Sequence, residues 1–369
     1  MKRLKCFWAC VGCIGMVAPA AAQAGSDSGQ PRVPRPAWSV GGVSFSGLVD
    51  GYYDLNFNHP DSKVNQLRNF DVKANQPRLN MARLTMEHTA DPVGFRLDLG
   101  VGKAFDMVNG LDTSATKNIE QAYVSYRPAT ARGLQLDFGK FVTSAGAEVI
   151  ETPDNWNYSR SLLFAWAIPY YHLGLRASLP LGKHITGGVQ LVNGWNNVED
   201  NNSGKTIGLT GAVAAGRVTW FNNYYAGPEK AGTNRGWRRL YDTTVLVNGL
   251  KTSAYLNFDY GADTNVSTPA NVWYGVAGAA RFALTDRVAV APRLEWFNDR
   301  NGFSTGTAQK LKEFTFTGEY KWIEGLLSRI EYRRDWSDQF FFDRGMTPAA
   351  SKSQTTLLAG FVAYFGAKD

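Results

Sequence analysis

From residue 43 the chain alternates between apolar and polar positions. Val43, Phe45, Gly47, Val49, Gly51, Tyr53, Leu55 and Phe57 share one parity, and Ser44, Ser46, Asp50, Asp54, Asn56 and Asn58 the other. A period of two places successive side chains on opposite faces of a sheet. The run outlasts an ordinary soluble strand of about 5–6 residues. It can cross a bilayer at a tilt and project beyond it, since the spanning part of such a strand takes roughly 9–11 residues.

The same pattern predicts strands over residues 43–57, 78–89, 93–103, 118–127, 133–142, 169–181, 184–195, 205–215, 217–225, 238–248, 250–260, 271–283, 287–297, 310–322, 326–335 and 353–365. The connections between them are read as long and short in unbroken alternation. Turn residues fill the short ones, as in Asp91-Pro92, Pro180-Leu181-Gly182-Lys183, Asn248-Gly249, Thr285-Asp286 and Glu324-Gly325. Asn-Gly favours the positive φ angles of a type I′ hairpin. Two segments break the pattern. Leu79 and Met81 oppose the parity of Leu84, Met86 and His88, which a β-bulge near Met81-Ala82 would repair. Leu326-Leu327 is the other irregular place.

Charge follows parity. Val93, Phe95, Leu97, Leu99 and Val101 alternate with Arg96 and Asp98, and Val288, Val290, Leu294 and Trp296 with Arg293 and Glu295. Phe314, Phe316, Tyr320 and Trp322 alternate with Glu319 and Lys321. An ionised side chain against hydrocarbon is costly, so the charged face must meet water. Aromatic residues sort by strand direction. Tyr53, Phe57, Tyr224, Tyr260 and Trp296 end the odd-numbered strands, and Tyr126, Phe282, Trp322 and Phe365 end the even-numbered ones. Two interfacial girdles have this distribution. A soluble sandwich or propeller also alternates, but gives no reason for the sorting. The expected fold is all-β: a transmembrane antiparallel barrel of sixteen strands, with short periplasmic turns and long extracellular loops.

Composition bears on export and partners. Lys2, Arg3 and Lys5 precede an apolar run from Cys6 to Ala18 and small-residue cleavage sites around Ala20–Ala24, which reads as a signal peptide over residues 1–24. The only three cysteines, Cys6, Cys10 and Cys13, fall inside it, so the mature chain offers no thiol for a disulfide or a metal. Losing Lys2, Arg3 and Lys5 takes the net charge from +7 to about +4, with no basic cluster for nucleic acid. Residues 25–42, rich in Gly, Ser and Pro, read as an extended periplasmic leader. The barrel then covers 43–365, and 366–369 form a short C-terminal extension that leaves no terminal aromatic.

The longest connection, residues 142–168, combines Glu148, Glu151, Asp154 and Arg160 with Trp156, Leu162, Leu163, Phe164 and Trp166. So much apolar surface argues against disorder. The expectation is a loop that folds into the lumen and narrows it, its carboxylates facing basic wall residues; a lid packed outside is the alternative. Parity assigns to the wall Arg83, Arg96, Arg176, Arg281, Arg293, Lys321, Arg329 and Arg333, with Glu87, Asp98, Asp137, Glu295, Glu319, Glu331 and Asp335 as acidic counterparts. Both signs interleave, and a slight anion preference is expected. His59, His88, His172 and His184 are scattered, and no catalytic or metal-ligand spacing is visible. Neither enzymatic activity nor a cofactor is expected.

Two stretches carry a resemblance. One runs Gly139-Lys140-Phe141, Gly146-Ala147-Glu148, Glu151, Asn157-Tyr158-Ser159-Arg160-Ser161, Pro169-Tyr170-Tyr171-His172 and Gly174-Leu175-Arg176. The other is Asn193-Gly194-Trp195-Asn196-Asn197 followed by Asp200-Asn201-Asn202-Ser203-Gly204-Lys205-Thr206. Both resemble the β-barrel porin family 2, OmpL-like, of diderm outer membranes, over most of the chain from Val43 onward. The resemblance implies a porin-like barrel and no particular substrate. Sixteen strands enclose more space than side chains can fill, so the reading is an outer-membrane diffusion channel for small hydrophilic solutes or ions, with outer-membrane lipid as its surroundings and a homotrimer by analogy with porins of this size. A non-conducting structural or binding barrel with a plugged lumen is the alternative.

Overall fold

The computed structural model describes residues 38–112, 114–264 and 269–366. The signal peptide and most of the leader lie outside the described residues. So do the last three residues of the C-terminal extension.

Sixteen strands form the wall. They are β1 Val43–Asn56, β2 Pro77–His88, β3 Val93–Val101, β4 Ile119–Tyr126, β5 Gln135–Val142, β6 Tyr171–Pro180, β7 Ile185–Val192 and β8 Thr206–Ala215. The second half comprises β9 Val218–Lys230, β10 Thr233–Val247, β11 Thr252–Asp263, β12 Asn271–Ala283, β13 Val288–Asp299, β14 Gln309–Ile323, β15 Leu326–Ser337 and β16 Ser353–Phe365. Each strand pairs antiparallel with the next, and β16 pairs with β1 from Thr356↔Asn56 to Phe365↔Gly47. The sheet is therefore closed, and its backbone has no open edge, as hydrocarbon surroundings require. Ser39–Val40, at the end of the segment read as a leader, turns back to pair with Val43 and Ser44.

Parity separates the two faces as the sequence implies. Tyr53, Phe57, Tyr126, Tyr224, Tyr260, Phe282, Trp322 and Phe365 are all exposed on the outer surface. Arg293, Glu295, Arg329, Glu331, Arg333 and Asp335 are buried within. Large hydrophobics outside and charges inside invert the arrangement of a soluble protein. No helix among the described residues is long and apolar enough to cross a membrane, which says nothing about crossing by strands.

Both irregular segments have a local cause. In β2 the register shifts so that Asp50 pairs with Met81 and Gly51 with Leu79, leaving Asn80 as an extra residue. This bulge turns Met81 inward while Leu79 and Leu84 face out. In β15 Leu327 keeps the inward parity of Arg329 and Glu331 and joins the apolar cluster containing Val362 and Tyr364, while the adjacent register shift leaves Trp322 as an extra residue at the end of β14.

Two expectations need correction. The connection after the ninth strand is not long: β9 and β10 continue to Lys230 and Thr233 and meet in a tight turn at Ala231-Gly232. Residues 226–237 project beyond the lipid, so nothing selects the apolar alternation that would mark them as strands. Neighbouring contacts hold them instead: Gly232 N–H donates to Asn201 O at 2.7 Å and Trp195 N–H to Glu229 at 2.9 Å. At Asn248-Gly249 the connection runs over residues 248–251, and neither residue adopts the positive φ of a type I′ turn. The extra Leu250-Lys251 relaxes the two-residue geometry that would demand it.

Candidate functional site: the lumen wall and the third loop

A sixteen-stranded wall is too wide for its own side chains to fill. Residues 143–170, between β5 and β6, occupy that space. They contain a short 3-10 turn at Thr152–Asp154 and a short helix, Leu162–Trp166. Ser161 caps the helix by accepting from Phe164 N–H at 2.9 Å. The segment carries few charges of its own, so its backbone must find partners on the wall.

Arginines supply most of them. On β15, Arg329 donates to the carbonyls of Thr152 at 2.7 Å, Asn155 at 2.5 Å and Asn157 at 3.2 Å, while its Nε and Nη2 engage Glu319. Arg333 donates to Arg160 O at 2.6 Å and lies 2.8 Å from Asp335. Glu331 accepts the N–H groups of Tyr158 at 2.6 Å and Ser159 at 3.0 Å. On β1, two strands along from β15, Asp50 accepts from the hydroxyls of Tyr158 and Thr152. Asn157 donates to Ala291 O on β13 at 3.0 Å, and Trp273 on β12 donates to Ala167 O at 3.0 Å.

The four loop residues singled out by the sequence do different things. Glu148 receives Arg293 at 2.6 Å and Ser161 N–H at 2.6 Å. Glu151 receives Arg83 at 2.5 Å. Burial would raise the Glu151 carboxyl, but Arg83 and then Arg96 outweigh it and hold it down to about 2. Asp154 is half-buried at the end of the 3-10 turn. Arg160 does not face the wall. It donates to Val149 O at 2.8 Å, Tyr158 O at 2.5 Å and Ile150 O at 2.6 Å, stapling the loop to itself, with Phe70 under its guanidinium at 4.8 Å.

Along the wall the assigned charges are mostly paired across strands. Arg96 bonds Asp98 at 3.0 Å and reaches Glu87 at 3.5 Å; Arg176 bonds Asp137 at 2.7 Å and Arg281 bonds Glu319 at 2.9 Å. Arg293 also lies 3.1 Å from Glu295 and 3.2 Å from Glu313. Lys321 pairs with Glu324 near the mouth. Such pairs leave few of the wall's buried bases uncompensated. His172 is buried, hydrogen-bonded to Gly194 O at 2.9 Å and stacked on Tyr225. Among the described residues no group of three or more His, Cys, Asp or Glu could hold a metal.

The sequence reading missed several participants. Asp50 was visible on the polar parity of β1, but nothing local marks it as a loop anchor. Glu120 is the extra residue at a register shift between β4 and β3 and receives Arg83 at 3.2 Å, a position parity cannot assign. Arg68, in the first loop, bonds Asp335 at 2.9 Å, and Trp166 donates to Leu67 O at 3.3 Å, so the first loop braces the third.

A closed sixteen-stranded barrel with an apolar outer wall and a charged lumen crossed by an inward loop defines a porin. The chain belongs to the family described as Putative beta-barrel porin-2, OmpL-like, which it matches over residues 42–365. Among solved structures it is similar to outer-membrane expressed OmpT of Vibrio cholerae, with TM-score 0.61 at 12% identity over 89% of this chain and 100% of that one. The outer membrane channel DcaP of Acinetobacter baumannii gives TM-score 0.58 at 12% identity, over 90% of this chain and 99% of that one. An anion-selective porin from Comamonas acidovorans gives 0.60 at 11% identity, over 88% of this chain and 99% of that one. One similar OmpT structure is of a trimer form. Identities this low carry the fold alone. Comparison with curated proteins finds no match. Family and neighbours are described as porins and outer-membrane channels, which points to transport and not catalysis.

Proposed function

We propose that small hydrophilic solutes or ions diffuse passively through this barrel in the outer membrane, past a constriction made by the third loop (142–168). Export by the signal peptide over residues 1–24 would bring it there. The observation that carries the reading is the reach of the loop from its roots on β5 and β6 to the far arc of the wall, where it meets Arg293 on β13, Arg329 and Arg333 on β15, and Asp50 and Arg83 on β1 and β2. Selectivity then comes from the width and charge of what remains open. Deleting residues 147–165 should enlarge single-channel conductance in planar bilayers; unchanged conductance in a folded deletion variant refutes the constriction.

A second reading has an observation in its favour. Loop residues Leu162 and Leu163, like the wall's Arg293 and Arg333, are inaccessible to water. That suits a plugged barrel serving structure or binding. A folded, membrane-inserted protein without conductance would select it. A homotrimer is the assembly we favour, supported by the OmpT trimer form. Aromatics also stand on the outer positions of β9–β16 (Trp220, Tyr241, Phe258, Tyr332), whereas β7 and β8 present Ile185, Val189, Leu191, Ile207, Leu209 and Val213 there. A wall without interfacial aromatics suits protein contact better than lipid headgroups.

A further inference from the structure

The bases of the inner wall are matched by acids. Arg293 has three carboxylates within 3.2 Å, Arg83 two within 3.2 Å, and Arg281 and Arg329 converge on Glu319. The acids are not matched in return. Among the described residues, Asp50, Asp54, Asp242, Asp259 and Glu331 stand in no ion pair within 4.0 Å. The expected slight anion preference weighed the wall arginines against too few acids. Asp50, Asp54, Glu120, Asp242, Asp259 and Glu313, all buried on the inner side, reverse the balance.

Asp242 and Asp259 are the extreme case. They stand directly opposite each other on β10 and β11, and both are inaccessible to water. Asp242 accepts from the amides of Asn223 at 2.7 Å and Asn257 at 2.8 Å, while neither oxygen of the Asp259 carboxylate meets a hydrogen-bond donor. Asn223 also donates to Ser144 O at 3.0 Å, which places the pair beside the point where the third loop leaves the wall.

We propose that the lumen prefers cations and that Asp242 and Asp259 are the residues that set the preference. The inference rests on the porin reading and adds to it the charge class of the solute. Fixed charges between low-dielectric walls concentrate ions of opposite sign. Withdrawn from water, the pair acts on a passing ion through its field, which favours a cation and opposes an anion.

The test is the reversal potential of the full mature chain, refolded and inserted in planar bilayers under a KCl gradient. The K+ to Cl− permeability ratio should exceed one, and Asp242→Asn with Asp259→Asn should lower it by roughly two- to four-fold. Asp286→Asn, in an exposed periplasmic turn, should leave it unchanged. A wild-type channel favouring Cl− overturns the inference while leaving the porin reading intact. A conducting double variant with an unaltered ratio overturns the role of the pair. Should the double variant not fold, Asp259→Asn alone, which leaves the donors of Asp242 in place, reads the same ratio. A folded barrel that never conducts defeats the porin reading, and this inference with it.

Discussion

The guanidinium of Arg293 lies 2.6 Å from the carboxylate of Glu148, joining β13 to a loop residue 145 positions earlier in the chain. Glu295 and Glu313 crowd the same guanidinium, and all four side chains are almost wholly withdrawn from water. One guanidinium therefore meets three carboxylates at the seat of the third loop, with Arg333 a further 3.8 Å from Glu313.

Removing that cation should be expensive. Arg293→Met would leave the carboxylates facing each other, and breaking a buried pair from one side costs about 3–5 kcal/mol. Denaturant unfolding of the refolded barrel in detergent should register a loss of that size. Glu148→Gln, which removes one of three acids, should cost much less. Equal losses from the two variants would mean that the charge arithmetic is wrong.

The seat of Tyr158 depends on a missing side chain. A Cβ on Gly360 of β16 would stand 2.5 Å from the Tyr158 ring, whose hydroxyl donates to Asp50. Gly360→Leu should push the ring off that anchor and loosen the loop while the strand persists. Larger or noisier single-channel currents are expected, with heat-modifiable gel migration retained. Currents identical to wild type would remove Tyr158 from the constriction.

The two faces of the wall should respond oppositely to charge. Leu294 is 64% exposed on the outer surface of β13, and arginine there should cost about 2–4 kcal/mol near the bilayer midplane. Thr210, on the inner parity of β8 and half-exposed, should accept arginine at little cost. Folding yield into lipid vesicles measures both, and a well-tolerated Leu294→Arg would contradict a lipid-facing outer wall.

Acid should leave the Arg83–Glu151 contact intact until the pH is very low. The Glu151 carboxyl is depressed from 4.5 to about 2, so its contribution is complete above 4.5 and lost as pH falls through about 2. Wild type and Glu151→Gln should therefore differ in conductance equally at pH 7 and pH 5. A difference that vanishes between pH 6 and pH 5 would place the carboxyl elsewhere.

Much of this was legible in the chain because its causes are local. Strand parity depends only on which solvent each face meets, so Leu294 outward and Arg293 inward follow from their neighbours. The bulge in β2 announced itself through the conflict between Met81 and Leu84, though not the identity of its extra residue, Asn80. The β9–β10 hairpin was illegible because residues beyond the membrane lose the apolar alternation, and its pairing is secured by the adjacent loop through Asn201 and Trp195. The loop's composition marked Glu148 and Glu151 as polar groups needing partners. It did not mark Arg160 as a staple, because the carbonyls it binds come together only once the segment is folded.

Sequence alone thus determined the closed, two-solvent wall and the strand count, since hydrocarbon and water each impose a periodic rule on every residue that meets them. Tertiary structure alone decided which charges meet. Arg293 with Glu148, Asp50 with Tyr158 and Asp242 against Asp259 are juxtapositions across strands and loops, set by register and by the path of the third loop, and no periodicity along the chain encodes them.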